Sequence, residues 1–257
     1  MSKLNQSLDI SNPEPAIFLH IQKTAGTSLV HAAAEQYGAA SIISHGDYIG
    51  KSPLELSNIH FISGHFGYAY IEPIIQNRKI FTFLREPRER IVSLYYYFRS
   101  QPIETYPIYK LAHENSLEVF LKLAFSDAQV RARIWNHQTW QLAYGYNTDP
   151  GRRFMKSFTP IQLLSLANYN LRKMHFVGLV ESFDQDIGKL ARLLKWNNIT
   201  IAPCSNKNHN RKSLSDLSTN AIKLLDELTL LDQELYHAAI LLRSERKDFY
   251  VYGQGIC

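Results

Sequence analysis

Four short apolar segments punctuate the chain: Ala-Ile-Phe-Leu-His-Ile from Ala16, Ile59 to His65, Lys79 to Leu84 and His175 to Leu179. Each is rich in β-branched and aromatic residues and is bounded by polar or turn-forming stretches, the pattern of a buried strand. A weaker candidate spans Ser41 to Ser44. Between these segments the apolar spacing turns helical. Ala-rich residues follow the first, and Ile91, Leu94, Tyr95 and Phe98 recur at helical intervals after the third. Pro87 suits the first turn of that helix, and Thr159-Pro160 reads as the capped start of another, reaching about Asn170. Ser182 with Gln185 predicts a capping box for a helix from Phe183 to Trp196. From Gln101 to Arg153 the pattern is helical but irregular, and two helices, about 218–228 and 232–246, close the chain. Pro73 argues against a central strand between Tyr68 and Ile75. Strands alternating with helices predict an α/β fold with a central parallel sheet flanked by helices on both faces.

The 257 residues suit one large domain, read as 16–257, preceded by a polar arm at 1–15. A hydrophobic fraction of 45% and a charged fraction of 20% describe a soluble globular chain. The net charge of +5 favours an anionic partner without choosing among nucleotides, acidic glycans and nucleic acid. Two cysteines, Cys204 and Cys257, form no disulfide framework, and neither a signal-peptide core nor a membrane-length apolar run is visible. A cytoplasmic protein without an integral membrane segment is expected.

The chemistry concentrates at two strand ends. After the first strand comes Gln-Lys-Thr-Ala-Gly-Thr-Ser, in which Lys23, Thr24, Gly26, Thr27 and Ser28 lead into a helix. Unpaired N–H groups at a helix start, a lysine and hydroxyl donors make an anion cradle. It is not the ATP-binding P-loop, whose lysine follows its last glycine, because Lys23 precedes Gly26. The second strand-turn-helix unit carries Arg85 at its turn and Ser93 two turns on. Open α/β sheets bind ligands at the carboxyl ends of their strands, so both units can meet on one ligand with two phosphate groups.

His-Ile-Gln-Lys-Thr-Ala-Gly-Thr-Ser-Leu and Phe-Leu-Arg-Glu-Pro-Arg-Glu-Arg-Ile-Val-Ser resemble the two phosphate-binding segments of sulfotransferases that use 3′-phosphoadenosine-5′-phosphosulfate (PAPS). The closest likeness is to the carbohydrate type that includes heparan sulfate 2-O-sulfotransferase. Ile62 to Tyr68, Asn136 to Gly145 and Phe176 to Asp184 agree with the family in the same order. Two departures stand out: Glu86 where the family usually has Asp, and Gln22 where Pro is common.

The resemblance implies a P-loop-like nucleotide-binding sulfotransferase fold. It assigns Lys23, Thr24, Gly26, Thr27 and Ser28 to the 5′-phosphosulfate, and Arg85 and Ser93 to the 3′-phosphate. Lys23 would also stabilise the departing nucleotide, and His65, at the family's Ser-Gly-His position, would be the general base. No metal is expected. Glu72 is an alternative base, His60 has no assigned role, and His20 is expected to lie beside the loop and point into the sheet. The basic loop 206–212 either closes on the nucleotide through Lys207, Arg211 or Lys212 or is only a solvated surface; Lys207 and Arg211 are carried as binding candidates. Trp135 is a candidate for an acceptor surface, whereas Trp140, Tyr144 and Tyr95 to Tyr97 read first as core. Arg131, Arg133, Arg152 and Arg153 attract an acidic acceptor or simply keep the surface charged.

The expected partner is a hydroxyl-bearing acceptor, a carbohydrate by the resemblance, and not nucleic acid. The rivals are a nucleoside-phosphate kinase or NTPase, which needs a different glycine pattern and a carboxylate for Mg²⁺, and a non-catalytic nucleotide- or glycan-binding protein.

Overall fold

A computed structural model describes residues 12–145, 158–197 and 211–252. Five strands form one parallel sheet: β1 (Ala16–Leu19), β2 (Ile42–Ile43), β3 (Phe61–Gly64), β4 (Lys79–Leu84) and β5 (Phe176–Leu179). Their spatial order is β2-β3-β1-β4-β5. Leu19 lies level with Gly64 on one side and with Thr82 on the other. From β1 the chain goes first to the β2–β3 side and then crosses to β4, so the direction of winding reverses about β1. That reversal opens a crevice at the strands' carboxyl ends.

Side-chain alternation explains why both faces are covered. Ala16, Phe18, Phe61, Phe81 and Phe83 point to one side, against α1 (Gly26–Tyr37) and α9 (Phe183–Leu194). Ile17, Leu19, Ile62, Ile80, Leu84 and Val177 point to the other side. They meet α2 (Tyr68–Ile71), α7 (His137–Ala143), α8 (Pro160–Lys173) and the long α11 (Leu230–Tyr252). A third apolar cluster joins α3 (Pro87–Arg99), α4 (Pro107–Glu114), α5 (Leu117–Leu123), α6 (Ala128–Ile134) and α10 (Thr219–Leu228). Over its described residues, 101–145, the irregular central pattern is therefore a row of short helices.

Thr159 caps α8 as expected, and the cap is a box completed by Gln162. The capping box predicted at Ser182 does not form. A 3₁₀ turn, Val180–Ser182, runs straight into α9, and the Ser182 hydroxyl donates instead to Asp186 at 2.7 Å. Asp186 is buried, and Arg243 of α11 reaches its carboxylate at 2.5 Å, so that serine serves an ion-pair network rather than a helix end. Of the polar arm, residues 1–11 lie outside the described residues, while Glu14 is anchored: its N–H donates to Leu194 O and its carboxylate meets Lys195 at 2.6 Å. Among the described residues no helix is long and apolar enough to cross a membrane.

Candidate active site

Three adjacent strands, β3, β1 and β4, deliver His65, the 20–26 loop and Arg85 to the same edge of the sheet. In the loop, Lys23 and Ala25 both adopt left-handed backbone, at φ 69° and 65°. Such a conformation costs a side-chain-bearing residue about 1–2 kcal/mol, so the surroundings must hold it. Part of the grip is visible. The Thr24 hydroxyl, fully buried, donates to Ile21 O at 2.8 Å, and Arg85 Nη1 donates to Lys23 O at 3.3 Å. Of Thr24, then, the side chain builds the turn rather than offering a donor to a ligand. Ala25 caps α1 without any side-chain hydrogen bond, and the first turn contains no acid. The helix start thus keeps N–H donors and a positive dipole for an anion. Thr27 is exposed and Ser28 half-buried on that turn.

The start of α3 differs. Glu86 caps it, accepting the Glu89 N–H at 2.7 Å, and also pairs with Arg88 at 2.8 Å. Its cap is acidic, so the donors this end offers are side chains. Arg85, Glu89, Ser93 and Tyr97 succeed one another at intervals of four, which places them along one helical face. The two ends of that stripe have observed contacts. Glu89 forms an ion pair with Arg85 at 3.7 Å, and the Lys23 ammonium sits 4.2 Å above the Tyr97 ring. Ser93, half-buried, lies between them. Arg211 joins the same group: it pairs with Glu89 and donates to its carbonyl at 3.3 Å. Two guanidiniums share one carboxylate, and Arg211 is pushed down to about 10 by burial and by the neighbouring Arg85 charge. Lys207 lies outside the described residues, as do Arg152 and Arg153.

The Sulfotransferase family model matches residues 6–239. The chain belongs to the sulfotransferase family. Among solved structures, mouse sulfotransferase SULT7A1 complexed with PAP is similar at 16% identity and a TM-score of 0.36; the match covers 83% of this chain and 64% of that one. This chain therefore spans less than two thirds of that protein's length. No curated protein matches it.

In this member of the family the histidines settle differently from one another. His65 ends β3 with Nδ1 2.8 Å from His20 O. A carbonyl only accepts, so Nδ1 carries the proton and Nε2 keeps its lone pair. Burial pushes His65 down to about 4, opposed by the bond to His20 and aided by His45. His20 is buried beside the loop. Its ring stacks on Phe18 at 5.0 Å, packs on His65 at 4.5 Å and overlies Gly26. A Cβ on Gly26 would stand 1.7 Å from His20 Nε2, so glycine there gives the imidazole its place. His60 is exposed at the amino end of β3, the opposite edge from His65. Glu72 is exposed in a 3₁₀ turn near Tyr68 and Lys173.

The middle segment has a part that periodicity did not reveal. Gln138, fully buried, accepts the Arg85 N–H at 3.1 Å and donates to Arg85 O at 2.9 Å. Gln141 donates to His20 O and Phe66 O at 3.0 and 2.9 Å. One turn of α7 thus fixes the backbone at all three strand ends. In the sequence the clamp shows as two glutamines three residues apart inside the Asn136 to Gly145 stretch, with no apolar stripe to mark their role. Of the aromatics, Tyr95, Trp140 and Tyr144 pack into or against the cores, and Tyr97 lies beneath Lys23. Trp135 is 38% exposed with Arg131 over its ring at 5.4 Å. Arg131 and Arg133 also donate to backbone carbonyls of their own helical neighbourhood.

Proposed function

We propose that this chain transfers a sulfuryl group from PAPS to an acceptor hydroxyl, on a carbohydrate, in the cytoplasm, with residues 16–257 acting as one domain. The observation that carries the reading is the convergence of Lys23, His65 and Arg85 on adjacent strand ends in a chain of this family. The α1 N-terminus with Gly26, Thr27, Ser28 and the Thr24 backbone would hold the 5′-phosphosulfate. Arg85 and Ser93, with Arg211 beside them, would hold the 3′-phosphate, drawing the guanidiniums away from Glu89.

His65 Nε2 takes the acceptor proton as the hydroxyl oxygen bonds to sulfur. The bond from sulfur to the phosphate oxygen breaks in the same exchange, and 3′,5′-ADP leaves with its electron pair. Lys23 offsets the negative charge that grows on that oxygen, a gain realised chiefly in the transition state. Isotope-labelled PAPS offered to carbohydrate, phenolic and lipid acceptors tests the proposal. Label on a carbohydrate supports it, label on another class overturns the acceptor, and label on none overturns the transfer.

Arg85→Ala is expected to weaken 3′,5′-ADP roughly 10–100-fold, the value of a charged hydrogen-bond donor lost. Binding of 5′-ADP should change far less; equal weakening in calorimetry would refute the 3′-phosphate assignment. Gln138→Leu leaves that guanidinium in place but strips two hydrogen bonds from its backbone. A loss of about 1–3 kcal/mol in unfolding free energy is expected, with 3′,5′-ADP affinity falling severalfold. Unchanged affinity would show that Arg85 needs no such hold.

A further inference from the structure

His45 has no part in the transfer just described, yet it stands in the same corner. It follows β2 by two residues, in a turn where its φ is 51°. Since β2, β3 and β1 are neighbours, the strand ends bring His45, His65 and His20 together. One ring nitrogen from each lies within 4.8 Å of those of the other two. The ring centroids are 4.5 Å apart for His20 and His65, 6.0 Å for His20 and His45, and 6.4 Å for His45 and His65.

We propose that these three imidazoles form a binding site for a divalent transition metal of the zinc type, and that the bound metal silences the transferase by occupying the lone pair of His65. The silencing rests on the base assignment given above; the metal site does not.

Four features support it. The donors are all imidazole nitrogens, a set suited to zinc, cobalt, nickel or copper and poor for magnesium or calcium. Three protein ligands with an open fourth position match the open geometry such metals accept. His65 already donates Nδ1–H to the His20 carbonyl, the outer-shell bond that orients a ligating histidine and fixes its tautomer. His20 is only 4% exposed, and its Nδ1 has no hydrogen-bond partner among the described residues, so a buried polar nitrogen awaits a ligand.

Burial also holds His20 and His65 in the neutral form that metals require. Lys23 opposes the site, since its charge acts on His20. The wider gaps mean that the exposed His45 side chain must close on the other two, which gives the metal a reversible rather than a structural place. Base and metal compete for one lone pair. Turnover and metal occupancy therefore exclude each other.

The full chain, stripped with a chelator, is titrated with Co²⁺ while its visible d–d absorption is followed, and its transferase rate is then measured with added Zn²⁺. Expected are saturation at one Co²⁺ per chain, loss of the absorption in His45→Ala and in His65→Ala, and Zn²⁺ inhibition of the unaltered chain reversed by chelator. His45→Ala should keep its rate in chelator and need roughly 100-fold more Zn²⁺ for the same inhibition, at least the cost of disturbing a ligand's support. Absence of Co²⁺ absorption, or equal absorption in His45→Ala, would overturn the site. Co²⁺ binding without Zn²⁺ inhibition would overturn the silencing. If no acceptor is ever labelled but the His45-dependent absorption is present, the transfer reading fails and the metal site stands.

Discussion

Replacing His65 by alanine is expected to lower turnover about 10²–10⁴-fold, the usual contribution of a positioned general base. Affinity for 3′,5′-ADP should stay within about twofold, because the proposed anion cradle lies on α1 and α3 rather than on β3. A comparable loss of affinity would give His65 a structural part instead. The pH profile separates the roles further. With burial holding the free-enzyme imidazole down to about 4, it stays a base well below its ordinary range. In chelator, kcat/KM for the nucleotide should remain level from neutrality down to about pH 5 and fall toward 4. Bound phosphates place negative charge nearby and raise that value, so the acid limb of kcat should sit higher. Stability follows the same group. An imidazole with a folded value below its unfolded one takes up a proton more readily when unfolded, so the His65 contribution is complete above about pH 6.5 and disappears as pH falls toward 4.

Asp232→Ala is expected to destabilise the fold by about 3–5 kcal/mol, read as the shift in denaturant midpoint at constant slope. The carboxylate is fully buried at the start of α11 and accepts three bonds from α7. They come from the Gln138 N–H at 3.2 Å and from the Thr139 N–H and hydroxyl, both at 2.7 Å. Burial pushes its carboxyl up; the Arg90 guanidinium and those bonds hold it down. Alanine leaves Arg90, itself fully buried, without that charge and the α7 donors without an acceptor. Since α7 carries the clamp on Arg85 and His20, 3′,5′-ADP affinity should fall along with stability. Asp232→Asn, which retains an acceptor oxygen, should lose much less. Equal losses in the two variants would deny the bonds their importance.

How much of this was legible follows from what makes periodicity. The five strands and their flanking helices were readable because burial on both faces selects continuous apolar runs, as in Lys79 to Leu84. The loop proposed to hold an anion could be picked out because Gly26, Ser28 and Lys23 are local to one turn. Three things were not. Ser182 and Gln185 spell a capping box, but the buried Asp186–Arg243 pair outbid it, a tertiary contact from a helix nearly sixty residues away. Gln138, Gln141 and Asp232 interleave with apolar positions and leave no periodic mark, since their work is to bond backbone across long separations. His20, His45 and His65 come from three loops whose meeting depends on strand order, which no spacing within the sequence encodes.

That strand order also gives the site a handedness of approach. Arg85 and β4 lie on one flank of β1, His65 and β3 on the other. A nucleotide laid from the α3 stripe across to the α1 terminus occupies the β4 flank and the centre. Under the proposed assignment its sulfur-bearing end would face β3, the strand that the segment between β2 and β3, residues 44–60, leads into. Tyr48 of that segment meets Tyr70 of α2, with ring centres 5.4 Å apart, and both rings pack against Phe66. Selectivity for one acceptor over another would accordingly be altered by grafting that stretch, leaving the nucleotide half of the crevice untouched.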